Sequence, residues 1–132
     1  MEIINIVVEK SADYYDAYAE NCEGIYGAGE TAEQAKENAL DGLRLFVESR
    51  PVESLPKILQ GEYQVKFQYD VQSFLNYYEK IFSKPALQRI TGINQKLLHH
   101  YSSGLKKPRV MQRKRIEKAL HRFGKELLTV EL

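Results

Sequence analysis

The spacing of apolar residues changes from two to three or four at Thr31, returns to two at residue 62, and changes again after Asp70. A strand shows alternate side chains to one face and a helix every third or fourth, so these switches set the order of elements. Over residues 2–9, Ile4, Ile6 and Val8 alternate with Asn5, Val7 and Glu9, and β-branched residues dominate, which predicts a first strand. After a turn at Ser11-Ala12-Asp13, a second strand over 14–20 sets Tyr15, Ala17 and Ala19 against Tyr14, Asp16, Tyr18 and Glu20. Cys22-Glu23-Gly24 turns the chain into a short third strand at 25–29, where Gly27 and Gly29 permit a bulge or a close backbone approach.

Thr31 then opens a helix with Gln34 three residues on, the capping-box pattern in which each side chain satisfies the other's amide. Ala32, Ala35, Ala39, Leu43 and Phe46 form its apolar stripe, with alanines small enough for close packing on a sheet. Pro51 and Pro56 end it and make 51–61 a connector. In EYQVKFQY, residues 62–69, Tyr63, Val65, Phe67 and Tyr69 line one face of a fourth strand. The N-terminal unit reads β-β-β-α-β. Beyond Asp70, an N-cap, the pattern is helical: 71–81 with Val71, Phe74, Leu75 and Tyr78 inward, then 84–91 behind Ser83, then 94–103 behind Asn94. Gly92 separates the last two and Gly104 closes the second. A long final helix follows, with Ile116, Ala119, Leu120, Phe123 and Leu127 inward, and LLTVEL is expected to finish as a short strand. The fold class expected is α+β, with domains at 1–70 and 71–132.

Charge divides at the same place. Residues 1–70 carry six Lys and Arg against fourteen Asp and Glu, a net of −8, and residues 71–132 carry thirteen against four, a net of +9. Opposed halves suggest separate partners, with nucleic acid the leading one for the basic half. In the segment Ser83–Gly104, Leu87, Ile90, Ile93, Leu97 or Leu98, and Tyr101 can form a shared core between two short helices. Asn94, Gln95, Lys96, His99 and His100 are then left on the outward side, where Asn and Gln can pair with adenine and Lys with guanine or phosphate. Lys84, Lys106, Lys107 and Arg109 flank this face and are expected to contact phosphate.

LQRITGINQKLLHHYSSGLKKPR resembles the helix-turn-helix of Xre/Cro-like repressors, matching at Leu87, Gly92, Ile93, Leu98, Gly104 and Pro108. Gln88 stands where that family prefers Ala, and Ser102 where an acid is common. The resemblance implies that Lys84 contacts phosphate and that Gln95, Lys96, Leu97 and His99 face bases. In the N-terminal half, INIVVEK, DAYAENCEG and GAGETAEQAKENALDGLRLFVE resemble the HicB antitoxins over residues 3–69. That likeness implies a partial ribonuclease-H-like domain that blocks a small basic HicA-type ribonuclease toxin, in a protein that also represses its own operon. Glu20, Glu23, Glu30, Glu33 and Glu37 are the acids expected to face the toxin. A single helix-turn-helix meets one half-site, so a homodimer or larger homo-oligomer is expected, joined through Phe123, Leu127, Leu128 and Val130.

Catalysis is not expected. An active ribonuclease-H-like site needs several carboxylates around two metal ions, and Asn5 and Val7 hold the middle of the first strand while Glu9, Asp13, Asp16 and Glu20 lie at strand ends or turns. His99 and His100 diverge by about 100° on a helix and cannot pair on a metal. No nucleophile–base arrangement, phosphate loop or cofactor motif is present, so no metal or cofactor is expected. Cys22 alone forms no internal disulfide, as suits a cytoplasmic protein, and no apolar run approaches the roughly 18 residues that cross a bilayer. Two rivals remain: an orphan regulator with a sensory N-domain, and a metal-dependent nuclease using the N-terminal acids.

Overall fold

A computed structural model describes all 132 residues, in an α+β arrangement built on a four-stranded mixed sheet. The strands are β1 (Glu2–Lys10), β2 (Tyr15–Ala19), β3 (Tyr26–Gly29) and β4 (Tyr63–Tyr69), in the order β3-β2-β1-β4. β1 and β2 pair antiparallel with Val7 opposite Tyr18, β2 and β3 antiparallel with Tyr18 opposite Tyr26, and β4 runs parallel to β1 with Gln68 beside Val7. The expected alternation holds: Ile4, Ile6, Val8, Tyr15 and Ala17 are buried on one face.

Helix α1 (Ala32–Glu48) covers that face with Ala32, Ala35, Ala39 and Leu43. It lies hard against β3, because a Cβ on Gly27 would stand 2.3 Å from the Ala39 backbone nitrogen and one on Gly29 2.5 Å from the Gln34 Cβ. The two glycines therefore serve close approach, not a bulge. Thr31 caps α1 by accepting from the Gln34 amide, as expected. The return half of the capping box is absent, because the Gln34 side-chain oxygen accepts from the amide of Glu30 instead of Thr31. The outer margin of β3 is met by α1 at one point. Ala19 N–H donates to Ile25 O, and bonded pairs alternate in an antiparallel ladder, so Ala28 turns its backbone outward. There Asn38 Nδ2 donates to Ala28 O at 2.7 Å.

The connector is less idle than its prolines suggested. Two 3-10 turns, Val52–Ser54 and Lys57–Leu59, deliver Leu55 and Leu59 into the core beneath α1.

The chain divides into two compact units, Met1–Tyr77 and Tyr78–Leu132. The division falls later than the residue-70 boundary, because helix α2 (Val71–Tyr78) is bound to the first unit. Asn76 Oδ1 accepts the Ala32 amide at the start of α1, Lys36 Nζ donates to Tyr77 Oη, and Tyr69 packs on Phe74 and Tyr77. Ser73 and Leu75 are its buried residues, whereas Val71, Phe74 and Tyr78 are half-buried. The helix also stops at Tyr78, short of residue 81, where Ile81 and Phe82 amides turn back onto Tyr78 O.

In the second unit, α3 (Lys84–Thr91), α4 (Gln95–Ser103) and α5 (Val110–Leu127) enclose Leu87, Ile93, Leu98, Tyr101, Ile116 and Ala119. Ser83 caps α3 by accepting from Ala86, and Gly92 and Gly104 take left-handed φ values of 74° and 81° that L side chains avoid. The expected terminal strand is not formed: Thr129 and Val130 amides continue the helical turning onto Glu126 O and Leu127 O. With no strand beside it, the tail has no ladder to join.

Candidate nucleic-acid interface

Two short helices meet across Gly92, and their junction is tied by side chains. Thr91 Oγ1 donates to Leu87 O at 2.7 Å and accepts from Ile93 N–H at 3.1 Å, so one buried hydroxyl links the end of α3 to the turn. Arg115 on α5 reaches Gly92 O at 3.4 Å. At the start of α4, Asn94 Oδ1 accepts from Lys96 N–H at 2.8 Å and Gln88 Oε1 accepts from Gln95 N–H at 3.0 Å. Gln88 is therefore the link between α3 and the first turn of α4. Its polar character at a position of helix contact was visible in the sequence, but its partner, seven residues away across a turn, was not.

Asn94, Gln95, Lys96 and His99 are exposed, while Leu97 is half-buried beside the core residue Leu98. With its amides satisfied from below, α4 turns the Gln95 and Lys96 side chains free to solvent. His100 departs from the expected place on the outward, DNA-binding side, being half-buried. Its Nδ1 is buried without a partner, and its carbonyl accepts the Lys106 amide. Removal from water, then the nearby cations Lys106 and Lys96 and the adjacent His99, hold its pKa below the ordinary 6.5. Its position on α4 packs it toward the following loop, which is the physical reason it is withdrawn.

Lys106, Lys107 and Arg109 are exposed and border an open depression floored by Tyr101 and continued by Met111 and Gln112. This lies at the start of α5, whose N-cap Arg109 makes no side-chain cap bond, so first-turn amides there face outward. Lys84, at the first position of α3, is half-buried. Lys106, Lys107 and Arg109 thus form a basic cluster after α4, and Lys84 opens α3.

Comparison of the chain with protein-family models, curated proteins and solved structures yields no match.

The acids expected to face a toxin do not form one patch. Glu20 and Glu23 lie at the turn entering β3, Glu30 follows its far end, and four strand residues at ~3.3 Å each separate the two groups. Glu33 and Glu37 sit on α1. No three His, Cys, Asp or Glu side chains are grouped in a way that holds a metal ion. Cys22 is buried, and desolvation followed by the Glu23 charge raises its pKa, which keeps the thiol protonated and unreactive. At the C-terminal end, Phe123 packs edge-on against Phe82, with ring centroids 6.1 Å apart, whereas Leu127, Leu128 and Val130 remain 53%, 87% and 57% exposed. No helix is long and apolar enough to cross a membrane.

Proposed function

We propose that this chain is a HicB-type antitoxin that binds a HicA-type ribonuclease toxin through its acidic unit and operator DNA through its basic unit, repressing its own operon. The observation that carries the reading is the coincidence of charge and architecture: the division at Tyr77 and Tyr78 separates a net of −8 from a net of +9, because residues 71–77 carry no charge. A β-β-β-α-β sheet covered on one face is compatible with the partial ribonuclease-H-like domain that the HicB resemblance implies. The pair α3–α4, joined at Gly92 and presenting Gln95, Lys96 and His99, supports reading this segment as a helix-turn-helix with α4 in the major groove. Lys84, Lys106, Lys107 and Arg109 then hold the phosphates. The exposed Leu127, Leu128 and Val130 support a homodimer, which places two α4 helices on two half-sites in a cytoplasmic regulator.

The test separates attraction from discrimination. Phosphate contacts are indifferent to sequence and weaken with salt, whereas base contacts distinguish one duplex from another. Lys106→Ala should weaken operator and scrambled duplex equally and reduce the salt slope by about 1. Gln95→Ala should cost the operator ~1–3 kcal/mol and leave scrambled duplex unchanged. Titration of both variants at several salt concentrations checks this; equal operator preference in wild type, Gln95→Ala and Lys96→Ala rejects α4 as the recognition helix.

A further inference from the structure

In the first unit α1 and α2 lie on one face of the sheet, and the other face has no helix over it. The register defines what that bare face shows. Tyr26, Tyr18, Val7 and Gln68 form one row across four strands; Ala28, Asp16 and Glu9 form the next, and Glu20 stands beside Asn5 on the other side. Tyr26 is 56% exposed and the neighbouring Tyr14 44%. Asp16 accepts from Tyr26 Oη and from Ser11 Oγ, both at 2.8 Å, which fixes the Tyr26 ring while leaving it in solvent. Glu9, Glu20 and Asp16 all lie near enough to Tyr18 to raise its pKa, after burial as the largest cause. None of these three carboxylates forms an ion pair with a Lys or Arg side chain; the face carries one basic residue, the exposed Lys66 on β4 beside Asn5, away from the row of Tyr18 and Tyr26.

We propose that this face, centred on Tyr18 and Tyr26, is the docking surface for a basic protein that presents arginine side chains. The assignment rests on the reading of the acidic unit as the half that binds a basic partner, and it locates that partner on the bare sheet and not on Glu23, Glu30, Glu33 or Glu37. Guanidinium groups stack on aromatic rings and pair with carboxylates, and the face supplies both side by side. A tethered tyrosine loses little freedom on binding. Like charge opposes a second copy of the same face, and the same carboxylates repel phosphate-bearing ligands.

The experiment titrates the ¹⁵N-labelled full chain with an octa-arginine peptide. Shifts confined to Val7, Asp16, Tyr18 and Tyr26, with affinity lowered about tenfold in Tyr18→Thr/Tyr26→Thr and lowered also in the isosteric Asp16→Asn, support the proposal. Unchanged affinity in Glu33→Gln/Glu37→Gln supports it too. Shifts centred on α1 overturn the bare-face assignment and leave the acidic unit as the binding half. Binding nowhere on residues 1–77 overturns that reading and this assignment together. Movement of the face resonances with protein concentration alone identifies a second copy as the occupant and overturns the proposal.

Discussion

Gln88 is where residue-level reading and geometry part most instructively. Resemblance marked it only as a departure from a small alanine. Its oxygen instead caps the first turn of α4, a role a methyl group cannot fill. Gln88→Ala should cost about 1 kcal/mol, the worth of a helix cap, and should speed amide hydrogen exchange selectively in Gln95–Leu98. Unchanged exchange there would remove Gln88 from the junction. His100 makes a second prediction, with its sign set by the direction of its shift. A histidine whose folded pKa lies below the ordinary 6.5 takes up its proton more readily when unfolded, so the fold loses stability as pH falls below that value. Above it the group contributes no slope. The difference between wild type and His100→Asn in urea denaturation at pH 7.5 and pH 5 isolates this group from His99 and His121; parallel pH dependence in the two proteins would exclude it. Neither role was legible in the sequence, since the first depends on how the end of α3 meets the start of α4 and the second on which side of α4 meets the loop after Gly104.

At the scale of elements, order and facing were readable because each buried face repeats at a period its backbone imposes: Ile4, Ile6 and Val8 at two, Ala32, Ala35 and Ala39 at three and four. The entry of Leu55 and Leu59 into the core was not, because two apolar residues among prolines have no period. The terminal strand failed for a related reason: strand propensity is context-dependent, and the C-terminal tail lacks a partner ladder. The contact of β3 with α1 gives a sharp prediction. Gly27→Ala drives a methyl group into the backbone of Ala39 and should destabilise the first unit by ~1–3 kcal/mol or more, whereas Gly61→Ala meets nothing within 4 Å and should be neutral. Paired urea melts followed by tyrosine fluorescence decide it, and equal midpoints would mean that β3 yields without cost.

For the whole molecule, the charge split was legible and the place of division less so, because Asn76 and Tyr77 belong to α1 by contacts 44 and 41 residues long. A fragment ending at Tyr78 should therefore fold with a cooperative transition, and one ending at Asp70 should melt earlier or lack a transition, having lost the Asn76 bond and the buried Leu75. Circular dichroism of the two fragments tests this; equal melts would return the boundary to residue 70. Removal of residues 125–132 takes away Leu127, Leu128 and Val130 and should convert a dimer to a monomer in sedimentation, without disturbing Phe123 on Phe82. A dimer that survived would place the symmetric contact elsewhere.

The bond from Asn38 to Ala28 has a consequence for how copies of the chain accumulate. A sheet recruits further strands only through margins with unpaired backbone; β3 and β4 are the two margins here, and on β3 the outward carbonyl of Ala28 is taken by Asn38 of α1. Strand addition is thus one-sided. Two copies that met β4 to β4 would show a third copy only their β3 margins, so association through the sheet alone closes at a pair.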